Sequence, residues 1–111
     1  MELSEIYQKL CTVGIPVGYL RFRKPQKLPF IVYYESGSEI RGADGYNMLR
    51  EVSVTVELYF EVKDITIERK IEELFRDTEI NRSPDIYIDG EDMFMTSFSF
   101  TTYQFIKEEE S

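Results

Sequence analysis

The stretch MLREVSVTVELYFEVK, from Met48 to Lys63, decides the fold of this 111-residue chain. Its apolar residues occupy every second position: Val52, Val54, Val56, Leu58, Phe60 and Val62. Alternation at period two predicts a half-buried β-strand. From Leu49 to Val62 such a strand would be roughly 45 Å long at about 3.4 Å per residue, whereas a compact chain of this size has a radius of gyration of about 13 Å. We therefore expect the strand to bend or to project beyond the body of its domain.

Two amphipathic helices are predicted, one near the start of the chain and one directly after this strand. Glu2 to Cys11 carries one apolar stripe at helical spacing, formed by Leu3, Ile6, Tyr7 and Leu10. Cys11 at its end is expected to be a buried structural thiol. The second helix, Ile65 to Arg76, follows Asp64, a favourable N-cap residue. Its buried stripe is predicted to be Ile67, Ile71, Leu74 and Phe75, and its water-facing residues Glu68, Arg69, Glu72 and Glu73.

Four further strands are predicted. Val17 to Phe22 and Phe30 to Glu35 lie before the long strand, and the second of them is expected to end at Ser36-Gly37. A loop containing GADGYN, Gly42 to Asn47, follows it. After the second helix, Asp85 to Ile88 and Met93 to Ile106 are joined by an Asp89-Gly90 turn. In the last strand Phe94, Phe98 and Phe100 lie on one face, and Met95 and Phe105 on the other.

The predicted order is α-β-β-β-α-β-β, an α+β fold with a mainly antiparallel sheet of about four strands and two helices packed on one face. No linker or repeat divides the chain, so residues 1–111 are expected to form one domain with a polar tail at 107–111.

Composition narrows the functional class. Thirteen basic and 21 acidic residues give a net charge of −8, which provides no general attraction to nucleic acid or to an anionic membrane. No apolar run approaches the roughly 20 residues of a membrane helix, and MELSEIYQKL lacks a signal-peptide pattern. The one cysteine excludes an internal disulfide and fits a reducing compartment. We expect a soluble cytoplasmic protein.

Residues that could perform chemistry are few. The chain has no histidine, and therefore no Ser-His or Cys-His pair and no imidazole metal site within one chain. A hard cation could bind at Asp85, Asp89, Glu91 and Asp92, but Tyr87 breaks the calcium-loop pattern, so a solvated turn is the default interpretation. GADGYN lacks a phosphate-loop context. The sequence predicts no catalytic, metal-binding or cofactor-binding residue, and no enzyme.

A basic segment interrupts this acidic chain. Arg21, Arg23, Lys24 and Lys27 fall within seven residues and are interleaved with aromatic side chains. One interpretation is a nucleic-acid patch with stacking aromatics. The other is a solvated loop whose cations meet acidic groups on the same or a neighbouring chain. The negative net charge favours an intersubunit contact over nucleic acid, because an acidic body with one basic loop is self-complementary in a head-to-tail ring. Tyr59 and Phe105 on the outer sheet face are further candidate contacts, although scattered surface hydrophobes are equally ordinary.

Several motifs in the same order resemble one family. The run YLRFRKPQKLPFIVYY, Tyr19 to Tyr34, is similar to an F-x-x-P-Q-x-x-P-[FY]-[IV]-V-Y-Y signature. Ala43-Asp44 resembles an Ala-Asp-Asn turn, with Gly45 in place of Asn. VELY, Val56 to Tyr59, and YIDGEDMF, Tyr87 to Phe94, resemble a strand motif and a hairpin motif, with Gly90 in place of Ser. The family is that of the siphophage and prophage tail terminator proteins (tail completion or tail-to-head joining proteins) of Gram-positive phages.

The resemblance implies a virion structural protein that assembles into a hexameric ring, caps the tail tube and joins it to the head connector. Its partners would be the major tail protein and the connector, with DNA only passing through the ring and no membrane contact. It would lie in the host cytoplasm during assembly and then in the virion. Asp44 and Tyr46 join the basic segment as candidate intersubunit residues. Alternatives are another head-tail adaptor or minor tail protein, or a small nucleic-acid-binding or regulatory domain.

Overall fold

The computed structural model describes residues 1–43 and 46–106, with side chains at 1–40 and 49–104. Two helices and six strands follow in chain order: α1 (Leu3–Cys11), β1 (Val17–Tyr19), β2 (Phe30–Ala43), β3 (Tyr46–Phe60), α2 (Ile65–Leu74), β4 (Asn81–Arg82), β5 (Ile86–Ile88) and β6 (Met93–Ile106). The predicted α+β class is compatible with this architecture. The predicted order lacked β4, which is too short to give an alternating pattern of its own.

The strands form one mixed sheet in the order β1-β2-β3-β6-β4, with β5 paired to the first residues of β6. β2, β3 and β6 form the long antiparallel centre of the sheet. β1 runs parallel to β2, so the sheet is mainly but not wholly antiparallel. The count of about four strands was low because β1, β4 and β5 are short additions at the two edges.

The prediction that β2 ends at Ser36-Gly37 was wrong. Its pairing with β3 shifts register between Glu35 and Gly37 and then continues to Ala43. Such a bulge absorbs an extra residue while the ladder goes on. The predicted Gly42–Asn47 loop is accordingly strand on both sides, with Ala43 paired to Tyr46; Asp44 and Gly45 lie outside the described residues.

The long strand itself is confirmed, but its boundaries differ. β3 runs from Tyr46 to Phe60, so it begins earlier and ends earlier than the alternation suggested. Val62, predicted to be buried, is 77% exposed, because the chain leaves the sheet before Asp64 starts α2. There the Asp64 carboxylate accepts hydrogen bonds from the backbone N–H groups of Thr66 (3.0 Å) and Ile67 (3.3 Å), which confirms the N-cap.

Both helices pack on one face of the sheet, as predicted. Buried residues from the helices and the sheet form a single cluster: Ile6, Leu10, Ile71, Phe75, Val52, Val54, Val56, Leu58, Phe60, Phe98 and Phe100 are among its members. Cys11 is exposed, against expectation. It follows Leu10 by one residue, which turns it about 100° away from the buried stripe of α1.

The molecule is elongated, with principal extents of 51 × 29 × 25 Å and a Cα radius of gyration of 15.9 Å. We call the sheet around the buried cluster, with its two helices, the body. We call β2 beyond Glu35, β3 before Val52 and β6 beyond Thr102 the extension. The burial of β3 begins at Val52, whereas residues 36–40 of β2 are all exposed. The predicted projection of the long strand is thereby confirmed.

In the described part of the chain, neither helix is long and apolar enough to cross a bilayer.

Candidate interaction surfaces

The basic loop, residues 20–29 between β1 and β2, folds back over the sheet face opposite the helices. Leu20 turns the chain with a φ of +64°, and its N–H donates to the carbonyl oxygen of Tyr33 at 3.0 Å. The Phe22 ring then lies directly over Gly18, where a Cβ atom would come within 3.0 Å of the ring. Glycine at 18 therefore allows the loop to close on the sheet. The predicted strand Val17–Phe22 ends at Tyr19 for the same reason.

Between this loop and the sheet lies a cleft of about 400 Å³. We call it the basic cleft. Its apolar lining comes from Leu20, Phe22, Pro25, Phe30, Val32 and Tyr59, and its cations are Arg21, Arg23 and Lys24. The rings of Phe22 and Phe30 meet edge to face at 5.4 Å, and Phe30 stacks on Tyr59 at 5.0 Å. The cleft is thus an apolar floor with a cationic rim.

The cations of the basic loop are exposed. Within the described chain, no ion pair involves Arg21, Arg23, Lys24 or Lys27. Their charge is therefore available to a ligand or partner. Lys27 belongs to the loop but does not line the cleft.

The floor beside the cleft contains a hydrogen-bonded carboxylate between two tyrosines. Glu57 accepts from the Tyr59 hydroxyl at 2.9 Å and from the Tyr34 hydroxyl at 3.2 Å. Burial, reinforced by the hydrogen bond to the Glu57 carboxylate, raises the pKa of Tyr59 to about 12. Tyr59 was predicted to be a partner contact; it is half-buried against its own chain and presents part of its ring to the cleft.

The second charged feature is the acidic hairpin, residues 85–94. Asp89 and Glu91 are exposed on either side of Gly90, whose φ of +87° suits the turn. Ile86 and Tyr87 are 47% and 50% exposed. Asp85 pairs with Lys63 at 2.8 Å, and Asp92 accepts from the Tyr87 hydroxyl at 3.2 Å. No group of three or more potential metal ligands occurs among the described residues.

One acidic residue lies in an unexpected place. Glu68 of α2, predicted to face water, is only 4% exposed. Its Oε1 lies 2.8 Å from Nη2 of Arg82, and its Oε2 lies 3.0 Å from Nζ of Lys63 in an ion pair that lacks hydrogen-bond geometry. Arg82 also covers the Phe98 ring at 4.3 Å. β4 brings Arg82 over the helix, and Glu68 is thereby buried as a structural anchor.

The extension offers an open sheet edge along β2. β1 pairs with β2 only at Ile31–Tyr33, and β4 pairs with β6 only at Phe98 and Ser99. Beyond those positions, no described strand pairs with the outer edge of β2. The outer edge of β6 is covered at Tyr103, where the Met1 ammonium donates to the backbone carbonyl oxygen at 2.9 Å. Ile40, near the end of β2, is 56% exposed. Unpaired edges of this kind are templates for pairing with another chain.

The candidate intersubunit residues do not form one patch. Arg21, Arg23, Lys24 and Tyr59 meet at the basic cleft. Asp44 lies outside the described residues, and the side chains of Tyr46 and Phe105 are also outside them. In the ladder, Phe30 pairs with Tyr59 at one end of β2, and Ala43 pairs with Tyr46 at the other. The basic cleft and the Ala43–Tyr46 pair therefore lie at opposite ends of the sheet.

The exposed apolar residues of the acidic hairpin were not predicted as contacts. Their signal was present in the sequence, because Ile86 and Tyr87 stand between Asp85 and Asp89. What the sequence did not show was that the short β5 would leave them at the edge of the sheet.

No family model matches the chain, and no curated protein matches it. Its fold is similar to that of a chain in a solved structure described as "Virion of native gene transfer agent (GTA) particle". The TM-score is 0.57 at 10% sequence identity, over 86% of this chain and 88% of that chain. At this identity the likeness shows a shared fold that spans nearly the whole of both chains.

Proposed function

We propose that this chain is a virion structural protein that caps a phage tail tube as a ring and joins the tube to the head connector. The observation that carries the proposal is the extension, a three-stranded projection whose β2 edge is open. The likeness of this chain's fold to a chain of a virion particle supports a structural role in a phage-like particle. The tail-terminator assignment is more specific and comes from the sequence motifs.

The extension suits a subunit of a ring. The open edge of β2 can accept a strand or edge from a neighbouring subunit, since main-chain hydrogen bonds need no particular side chains. Ile40 would lose its exposure in such a contact. Repetition of one head-to-tail contact closes a ring when the rotation permits. A homohexamer is the proposed state after assembly.

The proposed mechanism is binding rather than catalysis. One surface of the ring would occupy the end of the tube of major tail protein and stop its growth, and another would receive the connector. DNA would pass through the ring without sequence-specific contacts, and no membrane would be involved. Assembly in the host cytoplasm would place the protein at the neck of the virion.

Electron microscopy with purified tail tubes tests this proposal. We expect sixfold annular particles from the chain alone or annuli at one end of each tube, and a concentration-dependent hexamer mass. Growing tubes should stop elongating when the chain is added. A protein that stays monomeric and leaves tube growth unchanged would contradict the proposal.

A head-tail adaptor or minor tail protein is the nearest alternative function. It would bind the connector or the tube but would not stop tube growth. The uncompensated cations of the basic loop favour one different class, a small nucleic-acid-binding domain. Salt-sensitive binding to DNA at physiological ionic strength, without ring formation, would support that class instead.

A further inference from the structure

We propose that the acidic hairpin of one copy docks into the basic cleft of the next copy. This inference rests on the proposed ring and names one of its contacts. The partner is a second copy of this chain, the contact is head-to-tail, and the docking group is Ile86 with the Asp89 and Glu91 carboxylates of the turn.

The basic cleft has the properties of a receiving surface. Its floor is apolar and aromatic, and Leu20 at its mouth is 61% exposed. Arg21, Arg23 and Lys24 line it and have no ion pair within the described chain. A volume of about 400 Å³ accommodates a few side chains. The complementary group should therefore be small, apolar and acidic.

The acidic hairpin has that composition. Ile86 is 47% exposed, and Asp89 and Glu91 are exposed around the turn. Tyr87, on the opposite face of β5, is 50% exposed. The Tyr87 ring lies 5.2 Å from Phe94, and its hydroxyl donates to Asp92. These contacts order the hairpin before docking, which reduces the entropy lost on binding.

The positions of the two surfaces require a second molecule. β2 begins at Phe30 beside the cleft, and β6 begins at Met93 beside the hairpin, so both surfaces lie at the same end of the sheet. The cleft floor includes Tyr59 of β3, and β6 stands between β3 and the hairpin strand β5. Two strand spacings correspond to about 10 Å. The pairing of β5 with β6 holds the hairpin at this distance from the cleft of its own chain.

Two different surfaces, one on a face of the sheet and one at its edge, form a heterologous contact. Such a contact passes from subunit to subunit in one direction and can close a ring, whereas a two-fold dimer would need one self-complementary patch. Charge complementarity selects this pairing in a chain with a net charge of −8.

Charge reversal tests the contact. The cleft variant is Arg23→Glu with Lys24→Glu, and the hairpin variant is Asp89→Lys with Glu91→Lys, which keeps Gly90. The third variant combines all four substitutions. Sedimentation velocity and native mass spectrometry over a range of concentrations give the self-association constant of each full-length protein.

We expect each two-residue variant to lose at least about tenfold in self-association constant, because like charges then face one another. The four-residue variant should return to within about threefold of the wild type, since the reversed charges again attract. An additional variant, Ile86→Ser, should weaken association without altering any charge.

Matched controls separate the contact from net charge. Arg69→Glu with Lys70→Glu on α2, and Asp77→Lys with Glu79→Lys after α2, change the net charge by the same amounts at other exposed positions. The association constants of these two controls should stay closer to the wild-type value than those of the cleft and hairpin variants. Circular dichroism and thermal melting confirm that every variant is folded.

The outcomes are distinct for the contact and for the function. Rings that form equally well in the wild type and all charge variants would overturn this contact and leave the proposed function intact. A wild-type protein that never self-associates would overturn the contact as well. Tube growth that continues in the presence of assembled rings would count against the proposed function while leaving the contact standing.

Discussion

The body and the extension share the same three strands but are stabilised in different ways. In the body, β3 alternates buried apolar residues from Val52 to Phe60 under two helices. In the extension, the ladder between β2 and β3 continues to Ala43 and Tyr46, while residues 36–40 are exposed. The body gains free energy from burial, and the extension from backbone hydrogen bonds and cross-strand pairs.

This difference indicates which part of the surface is available to partners, namely the extension. A long hairpin with exposed edges is an aggregation hazard in an isolated protein. It becomes useful when a defined neighbour covers it. The four predictions below test this contrast, from the largest expected effect on stability to the smallest.

Truncating a buried aromatic side chain in the body should have the largest effect on stability. Phe75 is 1% exposed and stacks on Phe100 at 4.4 Å. Phe75→Ala should lower the free energy of unfolding by about 3–5 kcal/mol, because it leaves a cavity between helix and sheet. Urea unfolding followed by circular dichroism measures this loss. Phe75→Leu, which retains part of the volume, should lose clearly less; equal losses would argue against a packed body.

Removing the partner of the buried carboxylate should come second. Arg82→Met keeps an apolar cover over Phe98 but leaves Glu68 with Lys63 alone. We expect a loss of about 2 kcal/mol, because a buried charge is then poorly compensated. Adding Glu68→Gln to Arg82→Met should recover part of it in the same urea assay.

The exposed pair Arg76–Glu73, 2.6 Å apart, supplies the control for that experiment. Arg76→Met should change stability by less than about 1 kcal/mol. If Arg82→Met behaved like Arg76→Met, Glu68 would not be the anchor described above.

Tyr59→Phe should have an intermediate effect with a pH signature. Losing the hydrogen bond to Glu57 should cost about 1 kcal/mol near neutral pH. The folded pKa of Tyr59, raised from 10.0 to about 12, means that the neutral hydroxyl is the form the fold stabilises. Its contribution is therefore fully present below pH 10 and is lost as the pH rises from 10 to 12.

Unfolding free energies of Tyr59→Phe and wild type, measured between pH 8 and 12, test the sign. The gap between the two proteins should narrow as the pH rises through this range. Tyr103→Phe, at an exposed hydroxyl on β6, is the matched control. A gap that widened with pH would refute the assignment.

A substitution in the extension should have the smallest effect on stability. Ile40 is 56% exposed, so Ile40→Ser should change the free energy of unfolding of the monomer by no more than about 0.5 kcal/mol. If the extension is covered in a ring, the same variant should weaken assembly. Urea unfolding at low concentration and sedimentation at high concentration give the two readouts. An unchanged assembly constant would remove Ile40 from the interface.

Much of the fold was predictable because its signals are local. The alternation around Val54 indicates a strand face, the spacing of Ile6 and Leu10 indicates a helix stripe, and Asp64 is positioned to cap α2. Each depends on residues within about one turn or two pleats of one another. The boundary errors at Glu35 and Val62 arose where a bulge or a departing chain interrupts a pattern that local sequence still continues.

The candidate surfaces were only partly predictable. The cations of the basic loop were visible as a cluster, but their cleft exists because Phe22 closes over Gly18. Burial of Glu68 depends on Arg82, 14 residues away, and on the two-residue strand β4. No helical or strand periodicity encodes such contacts.

By itself, the sequence determined the long alternating strand, the two helices on one face, the excess of negative charge and the cationic segment within it. Tertiary structure alone decided that β2 runs beyond its bulge and that β1 lies parallel to it. It also decided that the basic cleft, on a sheet face, and the acidic hairpin, at the edge beside β6, lie at the same end of the sheet. The physical reason is the separation along the sequence of the residues that interact. Side-chain periodicity is a property of neighbouring residues, whereas edge positions and clefts depend on which distant strands pair.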